Sequence, residues 1–363
     1  MLAEDLQRWL DAHAEALDQG DAHADAVLPR LAHAGLTGIG VPSALGGQGG
    51  DIRDAVRAVA ALAEHSLAAA FAFWGHRVVT ELLVQSGNAA LRARWLPELL
   101  RGERAGASGL SNVMKFLSGI ESLNIRAEPD GPGGWRLHGQ VPWCTNLRRP
   151  AFLAAVAVAR SDGAPPMVVA LPSERAALVR SDDLDLIALR GTYTASLRLD
   201  GVAITAEDLL AEQVPLFLPQ ARPAFQGLQC GLSIGLAQAA LRAATAHTGG
   251  GRHVLQAPLA QAQGALDAAV QALLDGLATG RFGVAPHALF ALRLQLNELV
   301  QQAVQLELQA SGGRAYHRDQ PGGFARRWRE AAFIPIVTPS VTQLLGELEK
   351  RRAAASAAGH APA

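Results

Sequence analysis

Only two cysteines occur in the 363-residue chain, Cys144 and Cys230. They are too few for a disulfide framework and show no metal-ligand spacing. A basic surplus is missing as well: 32 Lys+Arg stand against 33 Asp+Glu, a formal net charge of −1. A chain that neutralises several nucleic-acid phosphates normally carries excess positive charge, so no nucleic-acid partner is expected. No apolar run reaches about 18 residues, and no internal repeat is visible. The N-terminus, MLAEDLQRWLDAHAEAL, is acidic and amphipathic, unlike a signal peptide. These absences predict a soluble, cytoplasmic protein without a membrane partner. Core material is plentiful, with 49% hydrophobic and 18% charged residues, which excludes disorder as a description of the whole. The length predicts two or three folding units.

Residues 1–105 read as an all-helical domain. Leu6, Trp9, Leu10, Ala14 and Leu17 recur at helical spacing. The stretch from Gly35 to Gly50 is glycine-rich and marks an irregular loop, after which the helical pattern resumes at Asp51 and runs to Leu100 with a break at 86–88. Residues 106–210 read as a β-domain. Leu123–Ala127 and Trp135–Gly139 flank a Pro/Gly turn, Phe152–Val158 and Met167–Leu171 look like buried strands, and Ala195–Asp200 alternates with period two. Residues 211–352 read as a helical bundle, with patterns over Pro223–Leu277, broken at Gly249–Gly251, over Pro286–Ala310, and up to Arg352. Residues 353–363 read as a flexible tail.

The order helices, β, helices is distinctive, and local motifs fall in step with it. Gly40-Val41-Pro42 with Leu45-Gly46-Gly47-Gln48-Gly49, Arg94-Trp95-Leu96-Pro97-Glu98-Leu99 with Gly102-Glu103, and Gly231-Leu232-Ser233-Ile234-Gly235 on a long helix are three of them. Trp143-Cys144-Thr145-Asn146, Arg252-His253-Val254-Leu255-Gln256-Ala257-Pro258-Leu259 and Gln309-Ala310-Ser311-Gly312-Gly313 are three more. Together they resemble the acyl-CoA dehydrogenase superfamily of flavoproteins over nearly the whole length. The resemblance implies an α+β multi-domain fold: an N-terminal helical domain, a middle β-barrel-like domain and a C-terminal four-helix bundle. It also implies FAD as cofactor and a homo-oligomer, dimer or tetramer. An acyl-CoA or other acyl thioester would be the substrate, with an electron-transfer partner or oxygen as acceptor.

By the same resemblance, Trp143 covers the flavin ring and the Thr145 hydroxyl reaches its N5, where a donor steadies the atom that accepts hydride. Leu110 and Ser111 meet the pyrimidine edge; Ser111 keeps the hydroxyl of the family's Thr, whereas Asn112 replaces a Glu. Arg252 meets the pyrophosphate across a subunit interface, a task suited to a guanidinium, and Gln263 follows on the same helix. Gln309, Gly312 and Gly313 approach the dinucleotide closely, as glycine permits. Where these motifs are only structural, Trp143 is a buried aromatic, Arg252 a solvated loop residue and Gly312 a helix cap.

Dehydrogenation needs a carboxylate to remove the substrate α-proton. Here the segment after Arg329-Glu330-Ala331-Ala332 places Thr338, or Val337 one residue earlier, at the usual Glu position. The substitute position of some relatives falls near Phe225 or Gln226, and no Asp or Glu occurs from Val214 to Ala246. Gln226 also stands where the family has a substrate-holding arginine; Arg222, one turn earlier, takes that part only if the helix start has shifted. Glu307 and Glu330 are the nearest carboxylates, and Glu330 is expected to pair with an Arg of 326–329. The histidines, His13, His23, His33, His65 and His76 among them, have no ligand spacing. The catalytic residue is therefore open. Three readings stand: a dehydrogenase-like oxidoreductase acting on the CH–CH group of an acyl thioester, a flavin-dependent monooxygenase or oxidase, and a non-catalytic homologue.

Overall fold

A computed structural model describes residues 2–247, 249, 251–317 and 322–358 of the chain. The helices before the sheet are α1 (Glu4–Gln19), α2 (Val27–His33), α3 (Ile52–His65), α4 (Leu67–Gln85) and α5 (Ala89–Leu100). On α1 the periodic Leu6, Leu10, Ala14 and Leu17 are buried, while Trp9 is only partly covered. Helix α3 opens with a capping box in which Asp54 Oδ2 accepts the Asp51 amide at 3.0 Å. Ser66 Oγ caps α4 by accepting the Ala69 amide at 3.2 Å. Helix α4 is long and apolar enough to cross a membrane, yet 89% of its apolar window is buried inside the protein. It is the central core helix of this unit.

The strands are β1 (Ala105–Gly109), β2 (Ile125–Pro129), β3 (Gly134–Cys144), β4 (Phe152–Arg160), β5 (Met167–Pro172), β6 (Leu178–Asp183), β7 (Ala195–Thr205) and β8 (Leu209–Ala211), with helix α6 (Ser111–Leu117) inserted after β1. They form one sheet ordered β6-β7-β3-β2-β4-β5-β8, with β1 pairing β4 in parallel. The continuous apolar run of β4 has a physical reason: both of its faces are covered. Phe152, Ala154, Val156 and Val158 join the sheet's own core, whereas Leu153, Ala155 and Ala157 join the core of the helices. Strands β1, β6 and β8 escaped sequence reading because β1 is made of small residues, β6 is mostly polar and β8 is only three residues long.

The C-terminal helices are α7 (Val214–Thr245), α8 (Gln256–Ala278), α9 (Arg281–Val284), α10 (Pro286–Ser311), α11 (Phe324–Phe333) and α12 (Val341–Ala358). Helix α7 packs on α3, and its glycines make that approach possible. A Cβ on Gly231 would sit 2.8 Å from Val56 O, and one on Gly235 would sit 2.1 Å from Ala60 O. Two expectations are corrected here. Helix α7 begins at Val214 rather than Pro223, because it accommodates both Pro219 and Pro223 within its first turns. Residues 353–358 continue α12 rather than forming a tail, as their Ala-rich composition favours; 359–363, like Gly250 of the glycine break, lie outside the described residues.

Candidate functional site

The first cluster forms where β3 ends. Ser108 and Thr145 make an isolated antiparallel bridge, so the end of β1 lies beside the Trp-Cys-Thr-Asn segment. Leu110 is fully buried, and Ser111 is the half-buried first residue of α6. Asn146 takes a left-handed φ of 67°, and its Nδ2 donates to Gly106 O at 2.9 Å while its amide donates to Thr192 O at 3.0 Å. These bonds tie the segment to both flanks. Thr145 is buried, with its Oγ1 3.3 Å from Thr194 Oγ1, a long contact that leaves most of its hydrogen-bonding capacity unused. Trp143 is not the buried aromatic of the structural alternative: its residue is 54% exposed. Cys144 is fully buried, and burial pushes its thiol well above the ordinary range, so it has no nucleophilic role.

Helix α6 departs from the resemblance. Asn112, in place of an acid, holds the following loop: its Nδ2 donates to Glu121 Oε1 and to Ser122 O, both at 2.9 Å, and its Oδ1 accepts the Asn124 amide at 2.9 Å.

The second cluster lies at the start of α8 and the end of α10. Arg252 sits in a short 3₁₀ turn, Arg252–Leu255, leading into α8. Its guanidinium lies against Gly312, where an added Cβ would stand 3.0 Å from Nη2. Gly312 has φ 62° and ψ −151°, a conformation open in practice to glycine alone, and Gly313 beside it has nothing within 4 Å of a Cβ position. Gln309 is exposed on the last turn of α10, and Gln263 is exposed on α8 with its Nε2 donating to Asp267 Oδ1 at 2.8 Å.

The third element is the turn between α11 and α12 that carries Thr338. Thr338 is half-buried; its carbonyl accepts from Gln229 Nε2 at 3.0 Å, and the Pro339 carbonyl accepts from Arg293 Nη1 at 2.8 Å. Helices α7 and α10 therefore hold the turn from two sides. Neither neighbouring carboxylate is free to take over as base. Glu330 is fully buried and accepts both hydrogen bonds of Arg326 at 2.8 and 2.9 Å, as well as the Leu67 amide at 3.2 Å. Burial raises its pKa and the Arg326 charge opposes that rise. Glu307 is paired with Arg327 through Nε at 2.9 Å and through Nη2. Phe225, at the substitute position, packs edge-on against Trp74 at 5.4 Å; Phe71 and Phe333 complete that aromatic group.

Next to Pro339 opens a cleft of about 240 Å³ between α6, α7, α10 and α12. Arg222 and Gln226 both line it, one turn apart on α7. Arg222 lies on a helix that starts before Pro223, so it faces the cleft together with Gln226. Sequence reading missed Glu347 and Arg351 of α12 and His287 of α10, which line the same cleft. Only the tertiary packing of α12 on α10 brings them there. Among the described residues no group of three or more His, Cys, Asp or Glu could hold a metal ion.

A helical unit, a single sheet and a helical bundle, in that order, are the acyl-CoA dehydrogenase fold. The structure superimposes on butyryl-CoA dehydrogenase from Megasphaera elsdenii with a TM-score of 0.81 at 20% identity, covering 94% of this chain and 93% of that one. Dibenzothiophene monooxygenase from Paenibacillus sp. A11-2 gives 0.74 at 19% identity, with 94% and 93% covered. Residues 1–103 match the family model described as acyl-CoA dehydrogenase, N-terminal domain. The mitochondrial isovaleryl-CoA dehydrogenase of Pongo abelii is 26% identical over 226 residues, 58% of this chain and 51% of that protein. The match thus spans about half the length of that relative. Residues 1–103 thus match the N-terminal-domain model of the acyl-CoA dehydrogenases, and the chain as a whole has their fold.

Proposed function

We propose that the protein is an FAD-dependent oxidoreductase whose chemistry does not begin with proton removal by the conventional carboxylate. The observation that carries this reading is the Thr338 turn: a hydroxyl replaces the acid, and Glu307 and Glu330 are each committed to an arginine. A neutral hydroxyl has little driving force to accept an α-proton at neutral pH. Oxidation or oxygenation of a substrate is therefore favoured over desaturation of a simple acyl thioester. Desaturation remains the second reading, favoured by the likeness to isovaleryl-CoA dehydrogenase.

The chain's own residues suit a flavin dinucleotide. Thr145 offers a buried hydroxyl with spare capacity, Trp143 an exposed ring to cover one face and keep water from it, and Leu110 and Ser111 the adjoining edge. Separately, Arg252 beside the Cβ-less Gly312 and Gly313 offers a cationic seat with close backbone approach, suited to a phosphate. Gln263 and Gln309 stand exposed on the two helices that carry this seat. Two seats of different character favour a dinucleotide over a bare flavin. When bound, the flavin would supply the two-electron redox chemistry; the protein's part is to bind it, orient it and exclude water. Val254 and Tyr316, exposed by 66% and 91% beside the second cluster, support a homo-oligomer in which this face is covered.

The test is anaerobic mixing of the flavin-loaded protein with a panel of acyl-CoAs, followed by admission of air. Native protein should show little flavin bleaching with straight-chain acyl-CoAs. Thr338→Glu, whose carboxyl would be partly desolvated and raised in pKa, should gain enoyl-CoA formation if only the base has been lost. Rapid stoichiometric bleaching of the native flavin would overturn the proposal.

A further inference from the structure

The cleft beside Pro339 is built for a polar occupant. Arg222 reaches it from α7, half-buried and without a hydrogen bond among the described residues; burial pushes its pKa down, and the charge of Glu347 across the cleft opposes that fall only in part. A desolvated guanidinium lacking an acceptor is unfavourable, and an oxyanion satisfies it in two parallel bonds. At the rim, Arg351 Nη1 meets His287 Nδ1, which fixes the second guanidinium in place. Among the described residues the one acid lining the cleft, Glu347, is shared between Lys350 Nζ at 3.0 Å and the field of Arg222, so with Arg222 and Arg351 the cleft keeps a cationic surplus. Deeper in, Gln226 is 1% exposed and its Oε1 has no donor among the described residues. A hydrocarbon leaves that acceptor unmet; a hydroxyl or amine satisfies it.

We propose that this cleft takes the polar part of the substrate, seating an oxyanion, phosphate or carboxylate, at Arg222 and Arg351 and a hydrogen-bond donor at Gln226 Oε1. The substrate class is thus an anionic, hydroxyl- or amine-bearing compound rather than a plain aliphatic acyl group. The inference rests on reading the cleft next to the Thr338 turn as the substrate's seat.

Calorimetric titration of the flavin-loaded protein with pyrophosphate and, separately, with malonate tests it. Saturable binding of either probe is expected, and the tighter one identifies the oxyanion. Arg222→Met should weaken it by about tenfold to a hundredfold with the flavin spectrum unchanged. Arg351→Gln, at an exposed position where folding is not at risk, should weaken it by a smaller factor. Phosphoethanolamine should bind more tightly than ethyl phosphate, and Gln226→Met should abolish that difference. Absence of saturation by either probe at about 1 mM, or equal affinity in native protein and Arg351→Gln, overturns the inference, as does an unchanged amine preference in Gln226→Met. Loss of flavin with anion binding retained would instead sink the flavin reading.

Discussion

Replacing Glu330 with Gln separates a structural carboxylate from a catalytic one. The side chain is fully buried, holds Arg326 through both oxygens at 2.8 and 2.9 Å, and receives the Leu67 amide at 3.2 Å. Glutamine preserves the shape and can still accept from Leu67. What disappears is the negative charge beside a guanidinium whose residue is only 6% exposed. Removing one partner of a buried pair leaves an uncompensated charge, at a cost of about 3–5 kcal/mol. For a chain of this size that corresponds to a fall in melting temperature of roughly 4–7 °C. The double variant Arg326→Met/Glu330→Leu removes both charges and should return to within about 2 kcal/mol of the native protein, because apolar pairs often replace buried ion pairs at little cost. Thermal unfolding followed by circular dichroism, with flavin content measured alongside, reads both effects. A Glu330→Gln variant as stable as the native protein but unable to turn over with flavin bound would refute the reasoning and make Glu330 the missing base.

Three further outcomes are expected. Arg252→Ala should weaken flavin dinucleotide binding by about 1.5–3 kcal/mol, the worth of a hydrogen bond to a charged group, while leaving the thermal transition of the apoprotein unchanged; equal FAD affinity by fluorescence titration would move the phosphate seat elsewhere. Thr145→Val should shift the flavin absorption and reduction potential without loss of fold, and Trp143→Phe should alter flavin fluorescence quenching; normal spectra in both would place the segment away from the ring. His76 is fully buried, accepts the Gly106 amide through Nδ1 at 3.1 Å, and is pushed down to about 3 by burial and by the Arg77 charge. An unfolded His76 binds a proton below its ordinary 6.5, and the folded one does not until about 3. Stability from this group is therefore complete above pH 6.5 and declines as pH falls toward 3, by up to roughly 4–5 kcal/mol. His76→Asn, which keeps an acceptor for the Gly106 amide, should flatten the melting-temperature profile between pH 6.5 and 4; an unchanged slope would assign the acid sensitivity to other groups.

Much of this protein follows from local pattern. The apolar face of α1, the continuous run of β4 and the glycines Gly231 and Gly235 each report their surroundings through neighbours in the chain, because helix and strand periodicity act over a few residues; the boundary between α3 and α4 at Ser66 did not show, since both flanks keep a helical pattern. The absence of an acid at Thr338 and along α7 was equally legible, since a missing residue type needs no fold to be noticed. Other features depend on contacts between distant segments. Whether Thr145 has a spare hydroxyl was decided by Thr194, on the other side of the sheet's long connection. That Trp143 stands in solvent was decided by the bridge between Ser108 and Thr145 and the turn at Asn146. Glu330 is committed to Arg326 one helical turn away, a pairing that the sequence suggests, but Glu307 is committed to Arg327 across two helices, which it does not. The cleft is the clearest case. Arg222 and Gln226 share a helix, whereas His287, Glu347 and Arg351 join them only because α10 packs on α7 and α12 packs on α10. Side-chain type and spacing are properties of the chain; which charged groups share a desolvated space is a property of packing, and here packing built the cationic cleft.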